Sequence, residues 1–298
     1  MVMTLRSGGP AMSTAVENTT GALVVGYAGS RQSRWAVEWT AAEAYLRRRA
    51  LVVLSTVDPA DPSDLEGIRV AAQADVRAVV GEVRDAYPGV TAHGLVSTGA
   101  PAPALSALAD QVTAVFVAVG TSGAGAVTPA LTGSTAAGLV RQGRWPTIVV
   151  RGERPLQHLH GGHVVVGLDG SPASEHAAEF AFHFAGLHDC PVHLVHSTSA
   201  EHSGPTPDGV TVDELVGCQI ADWNLRCPDV RLYVERASGS LARSLLRRTA
   251  GAALLVVGEH GHGAGRRKPQ GSLSHQVLRH APCPVAIVRE PVHAVLTG

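Results

Sequence analysis

The stretch Leu23-Val24-Val25-Gly26-Tyr27-Ala28-Gly29-Ser30 returns 141 positions later as Val164-Val165-Val166-Gly167-Leu168-Asp169-Gly170-Ser171. A longer correspondence keeps an offset of 138. It matches Val117-Ala118-Val119-Gly120-Thr121-Ser122-Gly123 with Leu255-Val256-Val257-Gly258-Glu259-His260-Gly261, then Gly133-Ser134 with Gly271-Ser272. Pro146-Thr147-Ile148-Val149-Val150-Arg151 and Pro284-Val285-Ala286-Ile287-Val288-Arg289 continue it. Self-similarity on this scale means that one folding unit occurs twice, each copy with its own core. The 298 residues suit two domains of about 100 to 200 residues. The expected division is a flexible leader over 1–20, a first domain over 21–151, a linker over 152–162, a second domain over 163–290 and a tail over 291–298.

Within the second copy, short apolar β-branched runs alternate with helix-like segments. Strands are expected over 164–167, 192–196, 230–235, 254–257 and 285–288, and helices over 174–187, 212–225, 241–250 and 272–280. Strand-helix alternation with continuously apolar strands predicts an α/β fold whose parallel sheet is buried on both faces. Ligands of such sheets bind beyond the carboxyl ends of the strands, where strand order reverses. Both glycine motifs begin where a strand ends.

Composition narrows the function. Hydrophobic residues make up 45% of the chain against 16% charged, which excludes a disordered chain. A net charge of −1 and an aromatic share of 4% provide neither the basic field nor the stacking surfaces that nucleic acid requires. No apolar run approaches the roughly 20 residues of a membrane span, and Met1 to Thr20 lacks the apolar core of a signal peptide, so a soluble cytoplasmic protein is expected. Cys190, Cys218, Cys227 and Cys283 form no CxxC pair and read as reduced packing residues. His158, His160 and His163, or His260 and His262, invite a metal. No acidic or cysteine partner stands at ligand spacing, so no metal site is assigned.

The segment from Gly258 to Ser272 runs from a strand into a helix start. Glycines let an anion approach the backbone without meeting a Cβ, and a helix start offers unpaired N–H groups and the positive end of its dipole. The only lysine of the chain, Lys268, falls in this loop beside Arg266 and Arg267. The bland alternative is that the glycines only make turns. Duplicated spacing at strand ends weighs against it. The loop is neither a Walker A motif nor a GxGxxG following the first strand, and no G-x-S-x-G elbow supports a serine hydrolase.

The pattern G-x2-G-x9-G-[ST], present as Gly120, Gly123, Gly133, Ser134 and as Gly258, Gly261, Gly271, Ser272, resembles the nucleotide-binding signature of the universal stress proteins. The resemblance covers nearly residues 21 to 290, as a tandem two-domain member. It implies two doubly wound domains, each with a five-stranded parallel sheet, that bind ATP, with Mg optional, and act as regulators in stress or dormancy. By position, Asp169 would meet the ribose and the backbone of Ser197 the adenine. Gly258 would lie near the ribose, and Gly261, Lys268, Gly271, Ser272 and Leu273 around the phosphates. Thr56, Gly120, Gly123, Gly133, Ser134 and Thr135 are the counterparts in the first copy. Ala28 replaces the aspartate there, and Gln270 stands where an apolar residue is usual.

The expected partners are adenine nucleotide and a second copy of the chain in a homodimer, with no nucleic acid and no membrane; the sequence names no regulatory protein partner. Two alternatives stay open. One is a slow ATPase or phosphotransfer enzyme using Glu259, His260 or His262, although no Mg²⁺ ligand set is evident. The other is a nucleotide-free interaction protein.

Overall fold

The structure, a computed structural model, describes residues 2–4, 19–57, 65–121, 134–142, 144–151, 156, 159, 161–197, 211–237, 239–259 and 273–289. The described residues divide into two units, one up to Arg151 and one from there on.

In the first unit, β1 (Val2–Thr4) precedes β2 (Leu23–Gly26), α1 (Arg31–Arg47), β3 (Leu51–Val57), α2 (Leu65–Ala86) and β4 (Ala92–Thr98). These are followed by α3 (Pro101–Val112), β5 (Val117–Gly120), α4 (Ser134–Gln142) and β6 (Thr147–Val150). The sheet order is β1-β4-β3-β2-β5-β6, and every pairing is parallel. The chain winds outward from β2 through β3 to β4, then returns to the other side of β2 for β5 and β6. That reversal is the doubly wound topology. Leu23, Val24 and Val25 are fully buried, as a central strand covered on both faces demands.

The second unit repeats the scheme with β7 (His163–Leu168), α5 (Pro172–His188), β8 (Val192–Ser197), α6 (Val212–Arg226) and β9 (Leu232–Ala237). It ends with α7 (Leu241–Arg247), β10 (Ala252–Gly258), α8 (Leu273–His280) and β11 (Val285–Val288). Its parallel order is β11-β10-β7-β8-β9. Each unit is thus an α/β domain on a parallel sheet; the second has the five strands expected, and the first has six because β1 adds to the edge of β4.

Strand β10 begins at Ala252 rather than 254 and α5 at Pro172 rather than 174, and three further differences from the sequence expectation have a local cause. Val2–Thr4, inside the supposed flexible leader, pairs with β4 in the register Val2↔Gly94, Met3↔Leu95, Thr4↔Val96. The outer edge of β4 would otherwise leave its N–H and C=O groups unpaired. Strand β9 starts two residues later than expected, because Val230 closes a turn by donating its N–H to the Cys227 carbonyl (3.1 Å). Helix α7 stops at Arg247 rather than Ala250, where Thr249 Oγ1 donates back to the Leu246 carbonyl (2.7 Å). The same region takes up most of the change of repeat offset. Leu105 packs on Gly26 and Leu245 on Gly167, so most of the contraction follows these leucines, where α3 has 12 residues and α7 has 7.

Packing is aromatic at a few points only. Trp39 of α1 lies against Phe116 (centroids 5.9 Å apart), and Phe182 of α5 stacks on Trp223 of α6 (5.0 Å). The thiols of Cys190 and Cys283 are buried; Cys227 is half-buried and Cys218 is exposed on α6, outside any packing role.

Three half-buried histidines make stability depend on pH. Burial lowers the pKa of His93, His193 and His196; Arg84 adds to the effect at His93, and His163 and Arg248 add to it at His193. Asp213 opposes the shift at His196, and Glu235 at His193. The folded chain therefore resists protons that the unfolded chain accepts near the ordinary value of 6.5. Stability is whole above that value and falls as pH drops below it. Urea midpoints measured from about pH 7.5 down to about pH 5 should decline, and His193→Gln should flatten the decline. A midpoint independent of pH over that range would contradict it.

Candidate functional site

Strand order in the first unit reverses between β2 and β5, and a cavity of about 190 Å³ opens at the carboxyl ends of these strands. Gly26, Tyr27 and Ala28 at the end of β2 form one wall, and Leu54 and Thr56 of β3 a second. Val119, Gly120 and Thr121 come from the end of β5, Pro101 and Leu105 from α3, Ser30 and Ser33 from the entry to α1, and Thr135 from the first turn of α4. Four positions singled out in the sequence, Ala28, Thr56, Gly120 and Thr135, meet here. Ser134 is the first residue of α4 and is exposed. Gly123 and Gly133 lie outside the described residues.

Asp169-Gly170-Ser171 is a turn-and-cap sequence, but sequence reasoning gave Ser33 and Ser174 no role, although a repeated signal marks them: Gly29-Ser30-Arg31-Gln32-Ser33 corresponds to Gly170-Ser171-Pro172-Ala173-Ser174. In both copies the first serine is the N-cap of the helix. Ser33 N–H donates to Ser30 Oγ (3.1 Å) and Ser174 N–H to Ser171 Oγ (3.2 Å). The second serine donates its hydroxyl back, Ser33 to the Ser30 carbonyl (2.9 Å) and Ser174 to the Ser171 carbonyl (2.8 Å). Gly29 and Gly170 precede the caps with φ of 69° and 80°, a conformation that a side chain would strain. Removing a cap oxygen leaves a helix donor unpaired, so Ser30→Ala and Ser171→Ala should each lose about 1 to 2 kcal/mol in urea denaturation. Unchanged midpoints would mean that water replaces the cap without loss.

The two copies differ just before the cap. Asp169 Oδ1 accepts from the backbone N–H (3.0 Å) and the hydroxyl (2.6 Å) of Ser171, so this carboxylate orders the turn that starts α5. A carboxylate has about four acceptor positions, more than the two that Ser171 takes. The turn role and a ligand role are compatible. Ala28 has no acceptor, and Ser30 Oγ donates instead to Ser33 Oγ (3.1 Å).

Gly120 and Gly258 end their strands and have a packing role that the sequence did not reveal. A Cβ on Gly120 would lie 2.5 Å from the Gln32 carbonyl oxygen, and one on Gly258 would lie 2.8 Å from the Ala173 carbonyl. The first turn of α1 or α5 rests directly on the strand end. Glycine here sets how closely the capped helix start approaches the site.

In the second unit, Ser197 closes β8, Gly258 closes β10 and Leu273, half-buried, opens α8. Glu259 follows β10; its N–H donates to the Val288 carbonyl (3.0 Å) and its carboxylate pairs with Arg289. His196, one residue before Ser197, holds the position of Ser55 and was not anticipated. Gly261, Lys268, Gly271 and Ser272 lie outside the described residues, as do Gln270, Arg266, Arg267, His158, His160, His260 and His262. His163 belongs to an aromatic ladder, 4.5 Å from His193, which is 4.8 Å from Tyr233. Among the described residues no three His, Cys, Asp or Glu side chains could hold a metal ion, and no helix is long and apolar enough to cross a membrane.

Comparison with known proteins agrees with this architecture. The model of the universal stress protein family matches residues 20–151 and again 162–289. A universal stress protein of Mycobacterium tuberculosis is 30% identical over 312 residues, covering 93% of this chain and 98% of its own. One from Mycolicibacterium smegmatis is 31% identical over 288 residues, covering 90% and 96%. Among solved structures, the crystal structure of a universal stress protein from Archaeoglobus fulgidus shares the fold with a TM-score of 0.72 at 19% identity, covering 91% of this chain and 98% of that one. With the family model matching twice and covering most of the sequence, the chain belongs to the universal stress protein family.

Proposed function

We propose that the protein is an adenine-nucleotide-binding regulator, that ATP is its ligand, and that it acts in the cytoplasm in a stress or dormancy response. The observation that carries this is the cavity at the topological switch point of the first unit, which joins Thr56, Gly120 and Thr135 beside two helix starts. Its volume of about 190 Å³ is below the roughly 300 Å³ of pockets that enclose a whole drug-sized ligand. It suits the base and sugar of a nucleotide. The phosphates would then run outward to the start of α4 at Ser134, where unpaired N–H groups favour anions. In the second unit Asp169, Ser197, Gly258 and Leu273 occupy the equivalent positions, and Asp169 would accept from the sugar hydroxyls.

Regulation is favoured over catalysis by the state of Glu259. Its carboxylate is paired with Arg289, which makes it a poor general base. Calorimetry of the full chain with ATP, with and without Mg²⁺, tests the proposal. Saturable binding in both conditions is expected, because backbone donors rather than a metal cage hold the phosphates. No heat of binding at about millimolar ATP would overturn it.

A further inference from the structure

At the opposite end of the first unit's sheet, where the strands begin, lies a cavity of about 630 Å³. Its walls are Thr20 ahead of β2, Tyr45 and Arg48 at the end of α1, Arg49 leading into β3, and Gly89 and Thr91 between α2 and β4. Strand β3 has 7 residues, so about 20 Å separate this cavity from the one at the strand ends. They are different sites.

The chemistry of the walls is one-sided. Two arginines, two threonine hydroxyls and a tyrosine ring line the space, and among the described residues that line it none is acidic. The nearest carboxylate along α1, Glu43, is fully buried and engaged by Arg47 (2.9 Å). Arg48 has no ion-pair partner among the described residues. Arg49 lies over Gly21, where a Cβ would sit 3.0 Å from its Nη1; a glycine at φ 76° makes room for the guanidinium. Two of the last four carbonyls of α1 are already occupied, Tyr45 by the Arg48 N–H (3.2 Å) and Ala44 by the Arg49 N–H (2.9 Å). The helix end therefore presents fewer bare acceptors that would repel an anion.

Tyr45 is 56% exposed, with its ring 5.7 Å from that of Tyr87 and alongside Gly89, where a Cβ would be 3.6 Å from the Tyr45 ring edge. It offers a flat apolar surface beside the positive charge.

The fold itself does not require this chemistry. The second unit has the same backbone at the end of α5, with Asp189 at φ 47° where Arg48 has φ 53°. Yet it carries Gly186, Asp189 and Cys190 in place of Tyr45, Arg48 and Arg49. One copy has reversed the charge and lost the ring without losing the helix end. We propose that the cavity of the first unit binds a flat, ring-bearing organic anion, with its carboxylate or phosphate between Arg48 and Arg49 and its ring against Tyr45.

Amide chemical shifts of the full chain, titrated with phenyl phosphate in one arm and benzoate in another, test this with and without ATP. Saturable shifts at Thr20, Arg49, Gly89 and Thr91, unaffected by ATP, are expected, and the tighter arm identifies the anionic group. Arg48→Asp installs the residue that the second unit already tolerates in this backbone conformation, so it should fold; it should weaken binding at least about tenfold. Tyr45→Gly, the residue of the second unit, should reduce phenyl phosphate to the affinity of inorganic phosphate. The proposal is overturned if shifts are confined to the strand-end residues such as Thr56 and Gly120. It is overturned equally if none occur at about 10 mM probe, or if Arg48→Asp binds as the parent does.

Discussion

Alanine at Gly120 or Gly258 should destabilise the protein by about 3 kcal/mol, whereas alanine at Gly26 or Gly167 should cost under about 1 kcal/mol. The glycines differ in what the added methyl meets. At Gly120 it would be 2.5 Å from the Gln32 carbonyl oxygen and 2.9 Å from the Ser33 nitrogen; at Gly258 it would be 2.8 Å from the Ala173 carbonyl and 3.0 Å from the Ser174 nitrogen. These are backbone atoms of a capped helix start, and relief requires moving the helix. At Gly26 and Gly167 the nearest atom is a leucine methyl, of Leu105 or Leu245, at 3.0 Å. A side-chain end can rotate by a few tenths of an ångström. The same displacement at Gly258 would disturb the Ser171–Ser174 cap and the Asp169 carboxylate bound to it, so nucleotide affinity at the second site should fall together with stability. Urea denaturation and ATP titration of the four variants check this. If Gly258→Ala unfolds at the parent midpoint, the helix start is free to slide and the packing role assigned to the glycine is wrong.

The different ways these glycines act show what a sequence can disclose. The strand positions and the tandem repetition of one α/β unit follow from apolar β-branched runs and their recurrence, because a strand buried on both faces has no alternative to a continuous apolar run. The position of the cavity at the strand ends follows as well, since a doubly wound sheet reverses at its first strand. What a sequence does not carry is a contact between backbone atoms distant along the chain. Gly120 and Gly258 read as ligand neighbours, yet their closest partners are the first turns of α1 and α5. The hydrogen bonding of Asp169 was legible, because Asp-Gly-Ser is a turn sequence. Ser174 was not: a buried hydroxyl in a helix's first turn has no composition signal apart from its repetition at Ser33. Val2–Thr4 is too short to show a period, and an edge strand of that length is fixed by its neighbour β4 rather than by its own sequence.

The second site should bind ATP more tightly than the first, by about ten- to a hundredfold, because Asp169 stands where the first copy has Ala28. Losing a charge-assisted hydrogen bond to a sugar hydroxyl costs about 1.5 to 3 kcal/mol, which is that range in affinity. Asp169 also holds Ser171 N–H and Oγ at 3.0 and 2.6 Å, so Asp169→Ala removes a turn acceptor and a ligand acceptor at once. Asparagine separates them. It retains an Oδ1 acceptor for Ser171 but lacks the charge, so Asp169→Asn should keep most of the stability and lose most of the affinity gain, while Asp169→Ala loses both. The reverse change, Ala28→Asp, should strengthen the first site, since Ala28 lines its cavity and Ser30 stands where Ser171 stands, able to orient a new carboxylate. Titrations that resolve two classes of site check the ranking. Equal affinities in the parent, or an Asp169→Asn variant that binds as tightly as the parent, would show that the carboxylate serves the turn alone.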